Sequence, residues 1–229
     1  MKAAFFDVDG TLTDVRVWQG VMDYFNAHGL RKWTIRWFWV YHTPYFLLYK
    51  LGVISQSSFR RPWAAHLSWL FRGYTEEEAQ KIWDWVVKEG IAGHWREDVI
   101  EILKRHKADG DVVFLVSAGP EPLVKRIGDE VGADVAVGTG HAVHAGRFTG
   151  KSIPPVCMDE HKATLTRKRI AALGLELDFG KSHAYADSPG DAGLLEMVGN
   201  PIAVYPDAEL RELARRRNWP VFEQIKTPG

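Results

Sequence analysis

The sequence contains little cysteine and no excess of charge of either sign. Cys157 is the single cysteine among 229 residues, which excludes an intrachain disulfide and fits a reducing cytoplasm. Lys and Arg together number 29, as do Asp and Glu, so no overall field favours a nucleic-acid partner. We therefore predict a cytoplasmic globular protein that does not bind nucleic acid.

Long hydrophobic runs are also missing. Acidic residues follow the initial Met too early for a secretory signal, which needs an apolar stretch of ~7–15 residues. The longest uncharged aromatic run, residues 37–49, is shorter than the ~18–20 residues of a spanning helix and contains Pro44. We predict a soluble protein, and a helix lying at a membrane surface is the alternative for this run.

What the sequence does contain is an alternation of short apolar runs and helical segments beyond residue 110. Residues 111–117 (DVVFLVS) have the continuous apolar pattern of a buried parallel strand. Pro122, near the start of the next segment, is typical of the first turn of a helix. Because strands and helices continue to alternate along the chain, we predict a parallel α/β sheet with right-handed crossovers.

Residues 15–90 differ from this pattern. They contain no convincing strand, and nine of the ten tryptophans lie at or before Trp95. Thr75 and Glu78 form the capping box of one helix in this segment, and Gly90 ends that helix. The predicted fold is thus α/β, with a Rossmann-like parallel sheet core, residues 1–14 and 91–229, and a helical cap, residues 15–90, inserted after the first strand.

Chemically reactive side chains lie where the predicted strands end or helices begin. They are Asp7 and Asp9 after the first strand, Ser117 after the second, Lys162 at a helix start, and Asp187 and Asp191 after a later strand. Ligands of an open parallel sheet bind beyond the carboxyl ends of its strands, where the strand order reverses. If the first strand lies between the other two, all of these groups converge on one crevice.

These residue types suit phosphoryl transfer. Mg²⁺ prefers hard oxygen ligands, which Asp7 and Asp187 can supply, and a cation relieves the repulsion between neighbouring carboxylates. Asp7 can attack phosphorus to form an aspartyl-phosphate, while Asp9 protonates the leaving alkoxide and later activates water. The Ser117 hydroxyl and the Lys162 ammonium can hold the phosphoryl oxygens.

Four motifs in order, DVDGT, LVSAG, DEHK and ADSPGD, resemble those of the haloacid dehalogenase-like hydrolase superfamily. The helical insert lies where the phosphoserine-phosphatase-like branch of that superfamily carries its C1-type cap. The resemblance implies a Mg²⁺-dependent phosphatase with Asp7 as nucleophile and Asp9 as acid/base. It also implies Mg²⁺ ligands from Asp7, the Asp9 carbonyl and Asp187, with Asp191 behind them. The phosphate-binding groups that it implies are Ser117, Ala118, Lys162 and the backbone N–H groups of Gly10 and Thr11.

Arg16 is a departure from that branch, in which a cap glutamate just after the first motif receives the ammonium of phosphoserine. A cation at this place disfavours phosphoserine and favours a substrate with a second anion or a polar, uncharged tail. Arg60 or Arg61 of the cap is expected to assist Arg16. In the alternative, Arg16 points to solvent and another residue, Asp14 or Asp23, receives the ammonium.

The leading prediction for function is a phosphomonoesterase that acts on a small phosphorylated metabolite. The aromatic residues 33–49 include Arg36 and are flanked by Arg31, Lys32 and Lys50. This segment could lie at a membrane surface, so the alternative is a lipid-phosphate phosphatase of lysophospholipid or phosphatidylglycerophosphate type. A non-catalytic binder of a phosphorylated ligand would be expected to lack Asp7 or Asp9. A metal-dependent glycosyltransferase would leave Ser117, Lys162 and Asp187 unused. The sequence leaves the oligomeric state open.

Overall fold

The computed structural model describes residues 1–224 and contains a seven-stranded sheet. The strands are β1 (Ala3–Asp7), β2 (Val112–Pro120), β3 (Val135–His144), β4 (Arg147–Ile153), β5 (His183–Ala186), β6 (Asn200–Val204) and β7 (Val221–Phe222). Their order across the sheet is β4-β3-β2-β1-β5-β6-β7. All neighbours are parallel except β3 and β4, which form a hairpin.

Nine α-helices connect and cover these strands within the described residues. They are α1 (Val17–Ala27), α2 (Lys32–Lys50), α3 (Gln56–His66), α4 (Glu76–Trp85), α5 (Glu97–Ala108), α6 (Glu121–Val131), α7 (Glu160–Ala172), α8 (Ala192–Leu195) and α9 (Ala208–Arg217). No helix in this part of the chain combines the length and the apolar character that crossing a bilayer requires.

Strand β1 lies at the centre of the sheet, between β2 and β5. Every residue of β1 is buried, as expected for a strand that is covered on both faces in a parallel sheet. Its end, Asp7, pairs in register with Val116 of β2, directly before Ser117. The predicted α/β fold with a mostly parallel sheet is therefore confirmed, and the ends of β1, β2 and β5 lie side by side.

The two faces of the sheet carry two separate hydrophobic cores, because alternate side chains of a strand point to opposite faces. Phe5 lies in a core with Phe114 and the buried Cys157. Phe6 lies in the other core, which continues into the helical segment through residues such as Phe25. The helices between β1 and α5 are thus packed on one face of the sheet by a shared apolar core.

The helical segment contains the elements that its sequence predicts. Four α-helices lie between β1 and α5, and helix α4 begins at the predicted capping box, in which Thr75 Oγ1 accepts from Glu78 N–H at 3.2 Å. After α4 the backbone widens into a π-helical turn, Val86–Gly90, and then forms a short 3-10 turn, Ala92–His94. Division of the chain into a core and a cap remains a prediction.

Two histidines are in contact among the aromatic side chains of α2 and α3. His42 Nδ1 lies 2.8 Å from the Phe38 carbonyl oxygen, so this nitrogen donates and His42 Nε2 is left as an acceptor. His66 Nδ1 lies 3.2 Å from His42 Nε2 and donates to it. Burial, together with the neighbouring His42, lowers the pKa of His66 to about 4. Burial also lowers the pKa of His42, so both rings are neutral in the folded protein near pH 7.

We predict that this pair makes the folded state less stable in mild acid. The folded-state pKa of His66 is about 4, below the ordinary value of 6.5, so between these values the unfolded chain binds more protons than the folded chain. The melting temperature should therefore fall as the pH decreases from about 6.5 to 4, and His66→Gln should reduce this dependence.

Thermal unfolding at a series of pH values measures the effect. His144→Gln, at an exposed position of β3, is the matched control and should retain the wild-type pH dependence. Equal pH dependence in wild type and His66→Gln would contradict the prediction.

Candidate active site

The loop after β1 positions the first two carboxylates. Leu12 and Thr13 N–H groups donate to the Val8 carbonyl at 3.0 and 3.1 Å, which folds residues 8–13 into a compact turn. Gly10 in this turn has a φ of +99°, and a Cβ placed there would lie 2.1 Å from Asp187 Oδ2. Only glycine adopts this positive φ without strain and also leaves room for the Asp187 carboxylate. The close approach of Gly10 brings the β1 loop against the carboxylate that follows β5.

Lys162 joins three separate segments of the chain at this site. Its ammonium, near the start of α7, pairs with the carboxylates of Asp7 and Asp191, and all three residues are buried. Burial opposes the charged ammonium, but the two carboxylates outweigh it and raise the pKa of Lys162. Burial raises the pKa of Asp7 well above its ordinary value even though Lys162 opposes the change. The Thr11 hydroxyl also donates to Asp7 Oδ2, at 3.2 Å.

Asp187 completes a cluster of carboxylates. Oxygen atoms of Asp7, Asp187 and Asp191 lie within 4.8 Å of one another. Burial, with the nearby charge of Asp191, raises the pKa of Asp187 to about 6. Asp187 Oδ1 is buried and has no hydrogen-bond partner among the described residues, which is a costly state for a carboxylate oxygen. Hard oxygen atoms in this arrangement fit a divalent cation such as Mg²⁺.

The Asp9 carboxylate is held by two donors. The N–H of Val17, the first residue of α1, donates to Asp9 Oδ1 at 2.5 Å. The Ser117 hydroxyl donates to Asp9 Oδ2 at 3.1 Å. The end of β2 and the start of α1 therefore fix the orientation of this carboxylate, and the predicted site residues Asp9 and Ser117 are in direct contact.

Two of the predicted phosphate-binding groups already have partners within the loop. The N–H groups of Gly10 and Thr11, which the family resemblance assigns to phosphate, donate instead to the Thr13 and Val8 carbonyls at 2.8 and 3.3 Å. The tight turn uses these donors internally. Ala118, by contrast, lines the crevice together with Asp7, Lys162 and Asp187.

Comparison with known proteins places this arrangement in a family. Residues 4–196 match the profile of the haloacid dehalogenase-like hydrolases. The chain belongs to the haloacid dehalogenase-like hydrolase family. The family predicted from the four motifs is confirmed.

Relatives of this haloacid dehalogenase-like hydrolase include two proteins named as phosphatases. A phosphoserine phosphatase of Mycobacterium tuberculosis is 30% identical over 224 residues, which cover 96% of this chain and 70% of that protein. A histidinol-phosphatase of Neisseria meningitidis is 31% identical over 159 residues, which cover 69% of this chain and 71% of that protein.

Among solved structures, a Bordetella pertussis protein of unknown function superimposes with a TM-score of 0.82 at 25% identity, covering 97% of this chain and 98% of that one. A substrate-bound phosphoserine phosphatase superimposes with a TM-score of 0.62 at 21% identity, covering 97% of this chain and 93% of that one. The second likeness shows a shared fold.

The three arginines singled out in the hydrolase sequence occupy different places. Arg16 Nη1 donates to the Asp9 carbonyl oxygen at 2.5 Å, and Arg16 Nη2 lies 3.6 Å from Asp187 Oδ2. Arg60 lines the crevice as well. Arg61 does not line it, because its guanidinium pairs with Asp159 and Glu160 at 3.0 and 2.5 Å. Arg61 thus links α3 to the start of α7, and its predicted role in substrate specificity is not supported.

The structure adds residues that the motifs do not single out as site residues. Met158, Asp159 and Ser188 line the crevice, and the Ser188 hydroxyl donates to Asp191 Oδ2 at 2.8 Å. Asp159 carries the positive φ of 52° that precedes α7. Asp159 lies in the motif DEHK and Ser188 lies in the motif ADSPGD, so the motifs could have identified both as site residues. Nothing in the sequence marks Met158.

Gly10 provides a test of the site geometry. We predict that Gly10→Ala lowers the free energy of unfolding by about 1–3 kcal/mol more than Gly52→Ala, because only the first introduces a Cβ that overlaps a buried carboxylate. Gly52 is a matched control, since it also has a positive φ, +72°, but nothing lies within 4 Å of its added Cβ. Chemical denaturation of both variants measures the difference, and equal losses would contradict the predicted overlap.

Proposed function

We propose that this hydrolase is a Mg²⁺-dependent phosphomonoester phosphatase that acts through an aspartyl-phosphate on Asp7. The observation that supports it best is the buried Lys162 ammonium paired with Asp7 at the end of the central strand. A fixed cation beside a buried carboxylate can stabilise the negative charge of a phosphoryl group that is transferred to that carboxylate. The names of the two curated relatives agree with a phosphatase.

The proposed reaction has two displacement steps. A carboxylate oxygen of Asp7 attacks phosphorus, the ester P–O bond breaks, and the departing alkoxide takes a proton from Asp9. Asp9 then accepts a proton from water as that water attacks the phosphoryl group and releases Asp7. Asp9 lines both the crevice and the larger cavity beside it, which supports the proposal that it serves the leaving group.

Mg²⁺ would be held by the Asp7 carboxylate, the Asp9 carbonyl and the Asp187 carboxylate, with Asp191 behind them. When bound, it would offset the negative charge of the phosphoryl oxygens and of the clustered carboxylates. The unpartnered Asp187 Oδ1 supports this assignment. The proposed phosphate-binding residues are Ser117, Ala118 and Lys162. Ala118 and Lys162 line the crevice, and the Ser117 hydroxyl contacts Asp9.

We propose that residues 1–14 and 91–229 form the catalytic core and that the helical cap, residues 15–90, selects the substrate. Arg16 and Arg60 of the cap line the crevice and would contact the part of the substrate beyond its phosphate.

A small phosphorylated metabolite is one candidate substrate. A lipid phosphate is the second candidate, and the apolar cavity next to Asp9 favours it. Asp7 and Asp9 are both present, which argues for a catalyst over a non-catalytic binder.

We predict that Asp7→Asn lowers kcat by about 10⁴-fold or more, because the covalent nucleophile is lost. The measurement is hydrolysis of a phosphomonoester panel with Mg²⁺, together with acid quenching of a ³²P-labelled substrate to detect phosphorylated protein. Asp109→Asn, at an exposed position directly after α5, is the control and should behave as wild type. Labelled protein in Asp7→Asn, or near-wild-type turnover, would refute the aspartyl-phosphate mechanism.

Phosphoserine is predicted to be a poor substrate, with kcat/KM at least roughly tenfold below that of glycerol phosphate. The Arg16 guanidinium lies at the crevice, 3.6 Å from Asp187 Oδ2, and would repel the ammonium of phosphoserine, at a cost of up to about 4 kcal/mol at close range. Arg16→Gln should reduce the difference in kcat/KM between the two substrates, whereas Arg105→Gln, at an exposed position of α5, should not. Preference of the wild-type enzyme for phosphoserine would contradict this role of Arg16.

A further inference from the structure

A cavity of about 420 Å³ adjoins the catalytic crevice and is lined mainly by apolar side chains. Its walls include Trp18, Trp39, Phe46, Phe59, Trp63 and Leu67, from α1, α2, α3 and the turn after α3. A cavity of this size is within the range of about 300–1,000 Å³ that holds small-molecule ligands. Most of this lining suits a hydrocarbon or aromatic group, because polar atoms placed against apolar side chains would lose their hydrogen bonds. The polar residues of the wall are Asp9, Arg16, His42, Thr43 and Arg60.

The cavity and the crevice are continuous. Asp9, Arg16, Arg60, Ala118 and Met158 line both of them. A phosphomonoester with its phosphorus beside Asp7 can therefore place the rest of the molecule in the apolar cavity. The charged wall residues Asp9, Arg16 and Arg60 lie at this junction, where a polar headgroup would sit between the phosphate and an apolar chain.

Helix α2 connects the cavity to an exposed apolar surface. Trp39 and Phe46 line the cavity, yet they are 46% and 41% exposed. Elsewhere on the same helix, Trp33 is 80% exposed and Trp37 is 68% exposed, and Leu51 after it is 76% exposed. Large apolar side chains clustered on a surface in this way mark an interaction site.

The charge around this surface indicates the kind of partner. Residues 24–75 contain seven Lys or Arg and no Asp or Glu, in a chain whose formal net charge is zero. Four of the seven lie on α2 or directly before it: Arg31, Lys32, Arg36 and Lys50. Arg36 lies over the ring of Trp33, and Lys50 lies over the ring of Phe46. A basic helix with exposed tryptophans is typical of a helix that lies in the plane of an anionic lipid surface.

We propose that the substrate is a phosphomonoester that carries an acyl chain and is taken from an anionic lipid surface on which α2 lies. The chain enters the cavity beside Trp39 and Phe46 while the phosphate reaches Asp7. This inference rests on the proposed phosphatase chemistry for its catalytic part only. The surface contact follows from the exposed face of α2 and the local positive charge.

Two experiments test it. The first measures kcat/KM for alkyl monophosphates from butyl to dodecyl, below their critical micelle concentrations. We expect kcat/KM to rise by up to roughly fourfold per methylene, the effect of burying a CH₂ group. Ala64→Leu, which adds volume at a cavity-lining position of α3, should lower the values for long chains and spare butyl phosphate. No dependence on chain length in the wild-type enzyme would overturn the cavity assignment.

The second experiment is flotation with vesicles of phosphatidylcholine alone or with 30% phosphatidylglycerol. We expect binding to the anionic vesicles that is lost in Trp37→Glu/Leu47→Glu, a variant altered at two exposed positions outside the cavity lining. This variant should still hydrolyse butyl phosphate. Leu173→Glu, at an exposed apolar position after α7, is the control and should still float.

The outcomes separate the two proposals. Absence of turnover with every phosphomonoester would refute the phosphatase function, while flotation would still test the surface. Turnover without flotation would refute the lipid surface. A dimer in light scattering that dissociates in Trp37→Glu/Leu47→Glu, without vesicle binding by the wild type, would assign the face of α2 to a second copy of the chain and overturn the proposal.

Discussion

A single buried ammonium holds the carboxylate cluster of this protein together. Asp7, Asp187 and Asp191 are all buried and close to one another, and buried like charges without a counterion would strongly destabilise the folded state. Lys162 supplies that counterion from α7, 155 residues from Asp7 along the chain. Arg16 adds a second cation, 3.6 Å from Asp187 Oδ2, so the ends of β1 and β5 and the start of α7 meet around two basic side chains.

The charged crevice and the apolar cavity next to it share several lining residues. The crevice is built from charged groups at the ends of parallel strands, where the fold directs functional side chains. The neighbouring cavity is built from aromatic residues of the helical segment. Asp9 and Arg16 belong to both, so in the proposed reaction these two side chains would lie between the phosphate and the rest of the substrate.

Corrections to the sequence-based site have a common physical origin. Gly10 and Thr11 carry the expected motif letters, but their N–H groups donate within the loop. Arg61 is a cap arginine like Arg60, but two carboxylates 98 and 99 residues away engage it. Residue type and spacing suggest a role, whereas the partner that finally takes a donor depends on backbone geometry and on distant segments. Met158 also lines the crevice only because of the tertiary structure, since it belongs to none of the four motifs.

Local patterns in the sequence determined the order of strands and helices, the capping box at Thr75 and Glu78, and the identity of Asp7, Asp9, Ser117, Lys162 and Asp187 as candidate site residues. These features depend on periodicity, turn chemistry and short motifs, which act between neighbours in the chain. Only the tertiary structure decided that Arg16 lies against Asp9 and Asp187, that Trp39 and Phe46 face a cavity, and that this cavity opens to the crevice. Each of these depends on packing between segments far apart in sequence, and local patterns carry no information about such contacts.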